Sequence, residues 1–245
     1  MIEEIKLSSF VALLIFVGMF LGGSSIQFMF RLFNRNTLYL QILCGGLLLG
    51  LFAFELLPDI FRQFQIIGIF TGISIGIFIM VLLEVFLHHN SNHHSRHQDT
   101  MYLLLIALII HNIPTGISFG TSLKTGDMIN HGLLMAFILH NVPEGMIIMA
   151  SIPLIKEKNK LFSIFCCTLS IVIGLNIFMG LNMKIDSLKW NTIMMGVTMG
   201  TMGYVTLYEL IWKKSKNLPK GKVVLIVILG LVGMHYFLRL LPAHH

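Results

Sequence analysis

Hydrophobic residues run along this chain in long blocks, with no two-residue alternation and no narrow helical stripe. Eight blocks stand out, at about 7–30, 38–57, 66–87, 101–122, 128–152, 161–183, 190–212 and 223–241. Each is close to the roughly 20 apolar residues that a helix needs to cross the hydrocarbon layer of a bilayer. The connections between them are short and polar, and Pro58, Pro153 and Pro219 lie near block ends, where helices stop. The pattern predicts an all-α integral membrane protein of about eight transmembrane helices in a single domain, 1–245. Glu3 and Glu4, not basic residues, precede the first block, and no small-residue cleavage site follows it. That block is expected to remain as a span and not to be removed as a signal peptide.

Composition points the same way. The chain is 56% hydrophobic and only 11% charged, with a mean hydropathy of +0.84. A soluble domain carries about 25% charged residues, so polar surface is too scarce here to coat a water-soluble globule, and lipid is the expected solvent. The net charge of +6 does not argue for nucleic acid, because the cations form no basic face or binding motif. They sit in the connections. Arg31, Arg35, Arg96, Lys156, Lys158, Lys160, Lys213, Lys214, Lys216, Lys220 and Lys222 fall on one side of an eight-span chain. Lys6, Arg62, Lys124, Lys184, Lys189 and Arg239 fall on the other. Eleven against six makes the first side cytoplasmic and places both termini outside, in a multi-pass plasma-membrane protein. Cys44, Cys166 and Cys167 lie inside apolar blocks and form no CxxC pair, so they read as small apolar residues.

Ionisable groups at bilayer depth are costly and mark functional sites by default. Two segments in consecutive spans carry them: His111-Asn112-Ile113-Pro114-Thr115-Gly116 and His140-Asn141-Val142-Pro143-Glu144-Gly145. The motif repeats 29 positions apart, and each copy falls near the middle of its span. Consecutive spans run antiparallel, so the two copies face each other in inverted orientation, a recurring transporter arrangement. In sequence the repeat is confined to this segment. Residues four apart share a helix face, which groups His111 with Thr115 and His140 with Glu144. Pro114 and Pro143 cannot donate to the carbonyls of Ile110 and Leu139, and the glycines admit a neighbouring backbone. Imidazole and carboxylate together suit zinc and neighbouring transition metals, whereas calcium and magnesium prefer oxygen alone. The plainer alternative is that each His and Asn hydrogen-bonds a neighbouring helix.

On these residues the chain resembles the ZIP (Zrt-, Irt-like) divalent-metal transporters. That family has eight spans, outward termini and His-Asn/Glu-x-Pro-Glu-Gly motifs in spans four and five. Glu55-Leu56-Leu57-Pro58-Asp59 at the end of span two, and Gly203-Tyr204 with Glu209-Leu210 in span seven, are similar to its pattern. So is a His-rich connection between spans three and four, here 88–100 with His88, His89, His93, His94 and His97. The resemblance implies transport of Zn²⁺ or a related ion (Mn²⁺, Fe²⁺, Cd²⁺), with uptake into the cytoplasm through His111, Asn112, Thr115, His140, Asn141 and Glu144. The chain departs from the family at two places. Thr115 stands where span four usually carries Glu, and Ser170-Ile171-Val172-Ile173-Gly174 in span six holds no acid. One certain anion remains, so a single-metal centre is expected in place of a bridged pair.

The remaining acids are placed by span direction. Glu55 and Asp59 fall near the outer face as an entrance, or as solvated helix ends. Glu84 and Glu209 fall near the cytoplasmic face as an exit, or as interfacial acids paired with Lys. The His-rich connection is on the cytoplasmic side, as a metal-capturing segment or an ordinary polar loop. The expected partners are a divalent metal ion and the lipid bilayer. No resident cofactor and no covalent reaction is expected, and a homodimer is left open. Two other classes stand beside transport. One is a non-transporting metal sensor or scaffold, motivated by the missing acids. The other is an intramembrane metalloenzyme, which needs a general base beyond the ligands and finds no HExxH arrangement here.

Overall fold

The computed structural model describes residues 2–32, 37–58, 66–90, 96–124, 131–152, 157–183, 188–216 and 218–239. Among them the backbone is helical and contains no strand. Only helices and closed barrels satisfy every backbone N–H and C=O inside lipid, so long apolar blocks leave the chain this one choice. The helices are α1 (Ile2–Leu32), α2 (Thr37–Leu51), α3 (Ile66–Asn90), α4 (Arg96–Lys124), α5 (His131–Ser151), α6 (Lys158–Asn182), α7 (Leu188–Gly203) and α8 (Lys220–Arg239). Two of them change gauge. α2 continues into a π-helical turn, Phe52–Leu56, and α7 into a longer π-helical segment, Tyr204–Trp212, closed by a turn at Lys213–Ser215. Such wide turns are rare and concentrate at functional sites.

Among the described residues, six helices are long and apolar enough to cross a membrane, through Ile2–Met29, Thr37–Glu55, Ile66–Leu87, Met101–Thr121, Lys158–Asn182 and Lys220–Arg239. α5 and α7 are not among these six. Large apolar side chains cover the outside of the bundle, with Ile67 84% exposed and Phe28 68%. That is the surface lipid requires, and water would penalise it. α3 carries the chain through His88 and His89 to Asn90, and α4 begins at Arg96. Residues 91–95 of the His-rich connection lie outside the described residues.

The closest helix pairs are α1 with α5, α2 with α8, α3 with α7 and α4 with α6. Further contacts join α1 to α6, α4 to α7, α2 to α5 and α4 to α5. These pairings map onto themselves when α1 is exchanged with α6, α2 with α7, α3 with α8 and α4 with α5, while the slighter contacts of α3 with α4, α1 with α2 and α5 with α6 have no counterpart of like extent among the described residues. The two π-helical segments fall on exchange partners, α2 and α7. The repeat visible in sequence at the motif thus extends to the main packing contacts of the bundle.

Lipid tails are as apolar as leucine, so helices associate in a membrane through close packing at small residues. A methyl group added at Gly72 would stand 2.7 Å from the Cα of Gly196, and one at Gly76 would stand 3.1 Å from Gly200. The same contact recurs between Gly120 and Gly180 at 3.0 Å and between Gly46 and Gly230 at 3.1 Å. Three of the four main pairs are therefore glycine-on-glycine seams, and in the fourth, α1 with α5, glycines meet the partner's carbonyls. Polar ties between helices among the described residues include Gln41 Nε2 donating to the Ala150 carbonyl at 3.2 Å and Gln27 Nε2 donating to Asn159 Oδ1 at 2.7 Å.

Candidate metal centre

The two motifs lie inside α4 and α5, and neither Pro114 nor Pro143 ends its helix. Each motif glycine is pressed against a different outer helix. A Cβ at Gly145 would overlap the carbonyl of Met19 in α1, and one at Gly116 would lie 2.8 Å from the Cβ of Asn176 in α6. Both positions admit only a hydrogen, and this seats α5 on α1 and α4 on α6. The inner sides of α4 and α5 are then left to meet each other.

There His111 Nε2 stands 3.5 Å from Glu144 Oε1, and both side chains have zero solvent exposure. Asn112 and Asn141 are also buried, and the Asn112 side chain lies against the Glu144 carboxylate. A good N–H···O hydrogen bond is about 2.7–3.2 Å long, so 3.5 Å is long for a direct bond. Two ligands held at about 2.0–2.2 Å from one tetrahedral ion stand about 3.4 Å apart. The imidazole and carboxylate thus already have the separation that a shared zinc-like ion demands. A carboxylate with no access to water also requires a compensating charge, which a protonated imidazole or a metal ion supplies equally well at this distance.

Thr115 reaches the centre only in part. Its hydroxyl donates to the His111 carbonyl at 2.8 Å, the back-bond that helical Thr commonly makes four residues upstream. This fixes the rotamer and leaves a neutral oxygen as its sole offer to a metal. His140 lies in α5 between two described turns, but its side chain lies outside the described residues. Among the described residues no three His, Cys, Asp or Glu side chains gather at one point.

The outlying candidates divide. Glu55 lies in the π-helical turn of α2 and is half-buried, and Asp59 lies outside the described residues. Glu84 of α3 and Glu209 of α7 are brought together, both bound to Lys213. The side chains of His88, His89 and His97, and all of His93 and His94, lie outside the described residues. Two residues that the sequence pattern did not single out enter here. Asn176 of α6 sits beside Gly116, one turn from Asn112, and its only sequence signal is an amide in the middle of an apolar block. Lys213 reads in sequence as a charge that sets topology, although its place four residues after Glu209 already marks an ion pair.

A bundle with membrane-crossing helices and a buried imidazole–carboxylate pair at its centre defines a class, the polytopic membrane proteins that handle cations. The family model of the ZIP zinc transporters matches residues 88–237, well over half of the chain. The chain belongs to the ZIP family, whose members move zinc and related divalent metal ions across membranes and catalyse no covalent reaction. No curated protein matches the chain.

Proposed function

We propose that this protein takes up Zn²⁺ or a closely related ion into the cytoplasm through a site between α4 and α5. The observation that carries the reading is the buried 3.5 Å approach of His111 Nε2 to Glu144 Oε1. His140 is one turn before Glu144 on the same face and completes the set, with Asn112, Asn141 and Thr115 as weaker oxygen donors. All eight helices span the plasma membrane in this reading. Each exchange of the packing pattern then joins an odd helix to an even one, giving two halves in inverted orientation around the site. The charge bias of the connections puts both termini outside, Glu55 and Asp59 at the entrance, and Glu84, Glu209 and the His-rich connection toward the cytoplasm.

One dication at a time is the natural load. Glu144 is the one acid of the two motifs, and Thr115 and α6 supply no second anion to bridge a pair. The same observation favours a second reading, a membrane metal sensor that binds without transporting. Uptake of Zn²⁺ into proteoliposomes, followed with a trapped fluorescent indicator, separates them. Metal-dependent uptake lost in Glu144→Gln supports transport, and tight binding with no uptake supports the sensor.

A further inference from the structure

Outside the central site, the densest group of charges among the described residues lies on the α3–α7 seam, where the π-helical segment of α7 begins and ends. The Lys213 ammonium is 3.0 Å from Glu84 Oε1 and 2.7 Å from Glu209 Oε1. The Tyr204 hydroxyl donates to Glu84 Oε2, and the Lys213 Nζ also stands 5.9 Å from the centre of the Tyr208 ring. These side chains are largely enclosed, Glu209 to within 3% exposure and Glu84 to within 17%. The second oxygen of Glu209, Oε2, is buried and has no hydrogen-bond partner among the described residues.

We propose that the Lys213 ammonium is a tethered cation filling a divalent-metal site made by Glu84, Glu209 and the Tyr204 hydroxyl, which an ion enters only when Lys213 withdraws. Two oxygens from different helices already lie within 3.0 Å of a single cationic point. Each would close by about 0.5–1 Å to reach the roughly 2.0–2.2 Å of a zinc–oxygen bond. The spare Oε2 of Glu209 offers a further ligand. A lysine fits the role because its ammonium is a compact point charge on a flexible stem that can swing out to solvent.

The exchange pattern gives the device a direction. α2, the exchange partner of α7, carries Glu55 in its own π-helical turn, and Glu55-Leu56-Leu57 corresponds to Glu209-Leu210-Ile211. Four residues after Glu55 the sequence has Asp59, where α7 has Lys213. In sequence, one segment therefore follows its glutamate with a second acid four residues on, and the other follows it with a cation. The first arrangement collects metal ions. The second holds the seam shut until an ion competes for the carboxylates, then expels that ion when the ammonium returns. This gating role rests on the transport reading above, while the binding it requires is measured independently.

The test uses full-length purified protein with Glu144→Gln and with the five His of the 88–97 segment replaced by Ser, titrated with Zn²⁺. Lys214, which lies within electrostatic reach of Glu209, is kept in every variant. Adding Lys213→Met is expected to give one further tight equivalent of Zn²⁺, lost again with Glu84→Gln, and Lys213→Arg is expected to give none. A folded Lys213→Met protein with no added equivalent overturns the proposal, as does an equivalent that survives Glu84→Gln. If Lys213→Met does not fold, acylation of Lys213 by an amine reagent decides the matter with Lys213 intact, using exposed Lys220 as the internal reference. Saturating Zn²⁺ is expected to raise Lys213 labelling several-fold, and an unchanged ratio overturns the proposal. Tight binding by the Glu144→Gln parent would count against the central site alone, because the Lys213 effect is read as an increment above it.

Discussion

Replacing Glu144 with Gln removes one negative charge and leaves the volume and shape of the side chain unchanged. Glu144 has zero exposure and its Oε1 is 3.5 Å from His111, so solvent cannot screen the loss. Removing one partner from a buried charge pair costs about 3–5 kcal/mol, and each 1.4 kcal/mol is about tenfold in affinity. The Zn²⁺ affinity of the variant should therefore fall at least about a hundredfold. This converts into a stability measurement. At a metal concentration 100 times the wild-type Kd, binding stabilises the folded protein by about 2.7 kcal/mol. A hundredfold weaker site retains only ~0.4 kcal/mol under the same conditions. The metal-free variant should be at least as stable as the wild type, because burying an amide costs less than burying a carboxylate. The assay is thermal unfolding in detergent with and without Zn²⁺, paired with proteoliposome uptake and with Lys220→Ala as the exposed control. A Glu144→Gln protein that keeps both the metal-induced stabilisation and near wild-type uptake would refute the reasoning. A metal-free variant much less stable than the wild type would show that Glu144 serves the fold.

Three further outcomes follow from particular contacts. Thr115→Glu places a second carboxylate one turn from His111 and removes the back-bond to its carbonyl; titration should show tighter Zn²⁺ binding and a second central equivalent, and weaker binding in a folded variant would contradict this. Gly145→Ala drives a Cβ into the Met19 carbonyl, an overpacking expected to cost about 1–3 kcal/mol, read as a lower unfolding temperature without metal; an unchanged temperature would show that α1 and α5 separate freely. With Cys167→Ser as background, since that thiol is exposed, an impermeant thiol reagent added outside should reach Asp127→Cys and not His93→Cys, and the reverse result would invert the topology.

Much of this protein is legible in its sequence alone. Uninterrupted apolar blocks dictate helices in lipid, because only local hydrogen bonding satisfies a backbone that meets no water. The repeated His-Asn-x-Pro motif shows where polar chemistry interrupts those blocks, since such residues are costly there and persist for a purpose. Sequence spacing assigns residues to faces of one helix, and it does so for His111 with Thr115. It carries no information on which helices touch, and that is left to tertiary structure. Packing through glycine seams turns Gly116 toward α6 and Gly145 toward α1, which leaves His111 and Glu144 to meet each other. The same packing extends a two-segment repeat to the main contacts of the bundle, because shape complementarity between backbones constrains which positions are small and little else. It also changes the meaning of Lys213. In the sequence this residue is one cation among eleven on a loop-rich side; in the fold it is the counter-ion of Glu84, 129 residues away. Ion pairs between distant helices depend on where side chains end in space, and a one-dimensional pattern of hydrophobicity does not encode that.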